Sequence, residues 1–167
     1  MKTIIVYKSS TGFTKQYADW IAEDCGCKAM DVKKVSESIV IEYDCIIYGG
    51  WIMGNMIMGL DKIIKMNPKK LVVFAVGSTP DSLEIRNGIK EQNNLGDTPF
   101  FYMEGGFHFE KLNFITRTML KMIKKSIVKK ENKTEQDVYM EKILGTSFDH
   151  SDKKYIAPLV TYVKERV

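Results

Sequence analysis

Four hydroxyl side chains and one glycine stand close together near the N-terminus, in Ser9-Ser10-Thr11-Gly12-Phe13-Thr14-Lys15. A short apolar, β-branched run, Thr3 to Tyr7, precedes them. A helical pattern follows from Thr14 to Asp24, with Tyr17, Ala18, Ile21 and Ala22 on one face and Gly26 as its stop. Hydroxyls hydrogen-bond phosphate oxygens. The free N–H groups at a helix N-terminus do the same, helped by the helix dipole. Gly12 lets the backbone approach closely. The chemistry this implies is capture of a phosphate monoester without an arginine. A helix N-cap alone would need a single Ser or Thr, and the loop carries more than that.

Other phosphate chemistries lack their residues. No glycine-rich loop ending in Lys-Ser/Thr is present, which argues against an ATPase. No G-x-G-x-x-G follows the first strand, which argues against a dinucleotide fold. A phosphoacceptor Asp is missing where the strand ending at Tyr48 runs into Gly49. The three cysteines, Cys25, Cys27 and Cys45, have neither disulfide-framework nor zinc spacing and read as structural. His108 follows the Gly105-Gly106 turn, where a proton-handling role or an ordinary loop position is open to it. His150 sits in a segment with the look of a helix N-cap region.

The elements needed to hold such a loop follow in alternation. Lys28 to Val32, Cys45 to Tyr48, Leu71 to Val76 and Phe100 to Met103 read as further strands. Helices are expected around Leu60 to Ile64 and over Ser82 to Glu91. Strand and helix alternating at this spacing imply right-handed crossovers and a parallel sheet. Ligands of such sheets bind beyond the C-terminal strand ends, at a topological switch point. The loops after the first, third and fourth strands are therefore the places to look. They contain Lys8 to Lys15, Gly49 to Gly59 and Gly77 to Asp81.

These residues resemble the flavodoxin family. Its phosphate signature, Thr/Ser-x-Thr-Gly-x-Thr after the first strand, is matched by Ser9, Thr11, Gly12 and Thr14. The resemblance covers roughly residues 1 to 103 and the last helix. It implies a flavodoxin-like α/β fold, a doubly wound five-stranded parallel sheet with helices on both faces, and FMN as cofactor. It further implies that Ser9, Ser10, Thr11, Gly12, Phe13 and Thr14 surround the phosphate. Gly50, Trp51, Ile52, Met53 and Gly54 would border the flavin ring, with Trp51 offering a flat face for stacking. Gly77, Ser78 and Thr79 would form the second wall. Family members often carry an aromatic in that second loop, and this chain has none there.

Two features depart from electron-carrier flavodoxins, which are strongly acidic. The net charge here is +4. A helical insertion, at about 105–150, follows the last strand of what otherwise reads as a single domain over 1–167. Leu112 to Val128 has apolar residues at 112, 115, 119, 122, 123 and 127, with Arg117, Lys121, Lys124 and Lys125 opposite. A polar segment, Lys129 to Glu135, follows, and a final helix is expected within 152–167. Both features are similar to a flavodoxin-like branch that includes quinone-dependent protoporphyrinogen dehydrogenase.

The sequence thus points to an FMN oxidoreductase acting on a small organic molecule of quinone or porphyrinogen type. A one-electron carrier between redox proteins and a cofactor-free binding domain are the alternatives. Partners would be a small-molecule or protein redox partner, and no nucleic-acid signature is present. The opening residues read as a first strand instead of a signal peptide, so the expected location is cytoplasmic. The basic helix over 111–133 reads as a plain solvated surface helix, a lid, or a peripheral contact with the inner face of a membrane. Met53, Met56 and Met58 suit either an adaptable contact surface or simple gap filling.

Overall fold

The structure is a computed structural model that describes residues 1–112 and 114–167. Asn113, within the expected 112–128 helix, lies outside the described residues. In chain order the first elements are β1 (Thr3–Lys8), α1 (Phe13–Cys25), β2 (Lys28–Asp31), α2 (Glu37–Ile41), β3 (Cys45–Met53) and β4 (Met56–Ile57). There follow α3 (Leu60–Lys65), β5 (Leu71–Gly77), α4 (Leu83–Gln92) and β6 (Phe100–Glu104). The rest are β7 (Gly106–Phe107), α5 (Phe114–Val128), α6 (Glu135–Ile143), β8 (Phe148–Asp149) and α7 (Ala157–Arg166). They group into two compact units, one of Met1–Gly105 with Ser151–Val167 and one of Gly106–His150.

The first unit is built on a sheet of order β2-β1-β3-β5-β6, all parallel, with β4 antiparallel on β3. Successive residues of each strand serve opposite faces, and both faces are buried. Ile4, Val6, Ile46 and Tyr48 join Val40, Leu60, Ile63 and Ile89 from the helices α2, α3 and α4. Ile5, Ile47 and Phe74 join Tyr17, Ala18 and Ile21 of α1 and Leu159, Val160 and Val163 of α7. This double burial is why the strands read as unbroken apolar runs instead of alternating ones. The final helix is shorter than expected, because Lys153–Ile156 forms a 3-10 turn ahead of α7.

The sequence places the end of the third strand at Gly49-Gly50, and the structure does not. β3 continues through Trp51 and Ile52 to Met53, turns over Gly54 and Asn55, and returns as β4. Both turn residues have positive φ, 54° and 65°, as a tight right-twisting hairpin requires. The two strand glycines answer to packing. A Cβ on Gly49 would lie 1.9 Å from the Phe74 ring, and one on Gly50 would lie 2.7 Å from Ile57 Cγ2.

The second unit opens and closes on the antiparallel pair Gly106↔Asp149 and Phe107↔Phe148. Between them α5 and α6 form a helical hairpin. α6, which the polar composition of its segment concealed, starts on a capping box between Thr134 and Asp137. Lys124 Nζ donates to the Leu144 carbonyl at 2.6 Å and ties the end of the hairpin to α5. The apolar stripe expected to be covered on α5 is mostly exposed: of its helical positions only Ile127 is buried. The stripe that packs runs through Thr116, Leu120, Lys124 and Ile127 instead.

Candidate cofactor site

The C-terminal ends of β1, β3 and β5 lie side by side. Lys8 pairs with Gly50, Trp51 with Val76, and Gly77 with Glu104 of β6. From β1 the chain passes to α1 on one face of the sheet, and from β3 to α3 on the other. The crevice opened by that divergence is the switch point at which parallel sheets bind ligands.

The hydroxyl loop fills the β1 side of this crevice. Gly12 caps α1 with φ 108°, a conformation that side chains other than glycine rarely adopt, and no atom lies within 4 Å of where its Cβ would be. Its N–H donates to Ser9 Oγ at 3.2 Å, which closes the loop. Among the described residues no side-chain hydrogen bond caps α1, and the helix begins where the crevice opens. Ser10 is exposed and Thr11 half-buried, and neither hydroxyl has a protein partner among the described residues. Thr14 is 1% exposed. The Phe13 ring is buried in the core, so this residue can offer a ligand only its backbone. Lys15 is engaged by Asp19 at 2.6 Å, a hydrogen bond that holds its ammonium pKa above the usual value.

Trp51 is half-buried at the end of β3, and its carbonyl accepts from the Met58 N–H at 3.0 Å. Ile52 packs toward the core on the α3 side. Met53 and Met56 are exposed on the hairpin beyond, and Gly54 forms its turn. Tyr48 donates to the Met58 carbonyl at 2.6 Å, and burial pushes its phenol pKa far up, so it remains a donor.

The loop after β5 is pinned from the neighbouring strand, which the sequence did not reveal. Tyr102 of β6 donates to the Thr79 carbonyl at 2.6 Å, and its hydroxyl would be 2.2 Å from a Cβ on Gly77. Glu104 Oε1 accepts from the Asp81 N–H at 3.0 Å, and Gly105 donates to the Gly77 carbonyl at 2.8 Å. Asp81 also pairs with Arg86. Ser78 and Thr79 are half-buried in this braced turn. Tyr102 thus places an aromatic beside the loop from one strand over. No local sequence signal announces a tyrosine fitted over a glycine on an adjacent strand.

The remaining candidates lie elsewhere. His108 sits 3.2 Å from Glu110 in the helical unit, and His150 packs on Phe148 there. The three cysteines are free. Burial pushes the Cys27 and Cys45 thiols up to about 11. Among the described residues no cluster has metal-holding geometry.

The flavodoxin-domain family matches residues 4–148. The chain belongs to that family. Its members bind FMN, and this flavodoxin-domain chain is an FMN-binding flavoprotein of redox function. The residues present fit that group: a glycine-opened helix N-terminus, with the Ser10 and Thr11 hydroxyls lacking a partner among the described residues, matches the chemistry of a phosphate monoester. No curated protein matches the chain. Solved structures similar to it include oxidised Flavodoxin 1 from Bacillus cereus, with 21% identity, TM-score 0.46, and coverage of 62% of this chain and 84% of that one. A flavodoxin from the domain Archaea has 15% identity and TM-score 0.45 over 96% and 99% of the two chains. Two-electron reduced Megasphaera elsdenii flavodoxin has 16% identity and TM-score 0.44 over 60% and 82%.

Proposed function

We propose that this chain is an FMN-dependent oxidoreductase that passes electrons to or from a small organic molecule of quinone or porphyrinogen type. The carrying observation is the loop at the N-terminus of α1, with Gly12 at φ 108° and the hydroxyls of Ser10 and Thr11 without a partner among the described residues. Ser9, Ser10, Thr11, Thr14 and the backbone from Gly12 through Phe13 would hold the phosphate. Trp51, Met53 and the backbone of Gly50, Ile52 and Gly54 would border the ring on the β3 side. Gly77, Ser78 and Thr79, braced by Tyr102 and Glu104, would border it on the β5 side. Bound flavin supplies the electron-transfer chemistry. The protein's part is to orient it, to exclude water with Trp51, and to hold the Ser78–Asp81 turn still. Because that turn is fixed by side chains of β6, it requires little reorganisation when the cofactor binds.

The net charge of +4 favours an anionic substrate over the basic partners of acidic carriers. A cytoplasmic location fits the three free thiols. A second reading, a one-electron carrier, draws support from the exposed Met53 and Met56 on the hairpin beside the site, an adaptable surface for a protein partner. Steady turnover of a soluble quinone or porphyrinogen by the FMN-loaded protein would support the enzyme. Exchange of single electrons with redox proteins, and no turnover of either small molecule, would overturn it in favour of the carrier.

A further inference from the structure

α5 presents two different stripes. One is consumed within its own unit. Ile127 is buried, Lys124 holds the Leu144 carbonyl at 2.6 Å, and Arg117 donates to the carbonyls of Glu110 and Leu112 at 2.7 and 3.0 Å. The other is apolar and bare. Phe114 is 82% exposed, Ile115 79% and Met122 66%, with Met119 and Ile123 exposed between them. At 100° per residue these five side chains span one half of the helix surface. Lys121 and Lys125, one turn apart, lie at the Phe114 edge of that half, the first just outside it and the second just inside. Both are exposed and neither has an ion pair among the described residues. The helix contains no acidic residue, and Lys129 and Lys130 follow its end.

We propose that this face of α5 docks on an anionic lipid surface, lying in the plane of the membrane with its apolar side chains below the phosphates and Lys121 and Lys125 among them. A stripe of large apolar side chains with cations along its flank is complementary to a layer whose interior is hydrocarbon and whose rim is negative. Charge argues against a second copy of the same face. A two-fold pairing would set the lysine flanks of two helices near one another with no carboxylate on either to offset them. Nucleic acid would want cations at the centre of the face, and the centre here is Ile115, Met119 and Met122. The helix lies on the membrane and does not cross it: at about 1.5 Å per residue it reaches well short of the ~30 Å hydrocarbon layer. No helix among the described residues is long and apolar enough to span one. The inference uses the helical unit alone and stands apart from the choice of redox substrate.

The test is co-sedimentation of the FMN-loaded full chain with phosphatidylcholine vesicles, with and without phosphatidylglycerol. The expected result is association with the anionic vesicles, little with the neutral ones, and release as salt shortens the screening length from about 10 Å at 0.1 M to about 3 Å at 1 M. Ile115→Ser with Met122→Ser should lower the partition coefficient by at least about tenfold, since two large apolar side chains lose their burial. Lys121→Gln with Lys125→Gln should lower it by roughly tenfold or more on anionic vesicles. Both variants should keep the flavin absorbance of the wild type. A Met122→Trp variant should shift its emission to the blue with anionic vesicles. Three outcomes would overturn the proposal: no vesicle association, partition unchanged in the serine variant, or a lipid-free dimer that the serine variant abolishes.

Discussion

In the sheet unit the large apolar side chains of β1, of β3 from Cys45 to Tyr48, and of β5 are covered almost completely, down to a phenylalanine ring that occupies the place of a glycine side chain at Gly49. In the helical unit Ile127 and Leu144 are the buried hydrophobic residues among those described, while Phe114, Ile115 and Met122 stand in solvent. Both units are rich in apolar residues. What separates them is the availability of a second layer. A sheet offers two broad faces, and five helices cover them. A two-helix hairpin has one seam, and half of α5 lies outside it. Apolar content therefore marks stability in one unit and surface chemistry in the other.

The largest effect expected from testing that contrast is on the cofactor. Thr11→Ala with Thr14→Ala should weaken FMN binding by well over tenfold, since each hydrogen bond lost to a charged group costs about 1.5–3 kcal/mol. Titration of the apoprotein with FMN and with riboflavin reads the effect. The wild type should prefer FMN strongly and the double variant should not. Equal affinity of the wild type for both ligands would dismiss the loop as a phosphate cradle.

Next comes a matched pair of truncations. Phe74→Ala, which empties a fully buried site, should cost roughly 3–5 kcal/mol in urea unfolding. Met122→Ala on α5 should fall within about 0.5 kcal/mol of the wild type. A comparable loss at both positions would mean that the α5 face is part of a core.

A smaller, spectroscopic effect sharpens the account of the site. Stacking of an aromatic pair adds about 0.5–1.5 kcal/mol, so Trp51→Phe should retain most FMN affinity. Most of the tryptophan quenching on FMN binding should vanish with it. If the quenching survives in that variant, Trp20 is its source and Trp51 does not face the ring.

The smallest effect should come from removing the helical unit. Replacing 106–150 by a short Gly-Ser linker is expected to leave FMN affinity within a few-fold of the full chain, measured by the same titration, and to abolish vesicle association.

Much of the sheet unit was legible because each of its signals had a single physical reading. The apolar runs at Thr3–Tyr7, Cys45–Tyr48 and Leu71–Val76 are short, mostly β-branched and followed by glycine or hydroxyl loops, which fits strands covered on both faces. The hydroxyl loop combined residue type with strand and helix context. Gly49-Gly50 was misread because a glycine that breaks a strand and a glycine overlaid by a neighbouring ring look alike in sequence. Their difference lies in Phe74, one strand away. The brace from Tyr102 to Thr79 was hidden for the same reason. On α5 the helical period was plain, but a period reveals a face and not what covers it. α6 was overlooked because its start, Thr134 with Asp137, sits inside an otherwise polar run.

The Gly106↔Asp149 pair has a consequence for how quickly the chain can fold. α7 must return to pack beside α1 after the whole of 106–150 has intervened. A slack tether of that length would impose a closure entropy about 2 kcal/mol greater than a tight turn does. A hairpin whose two ends hydrogen-bond to each other removes most of that slack once it has formed. The helices within it rest on contacts local in sequence, which form quickly. The final helix then meets the sheet as though the strand before it were only a few residues away.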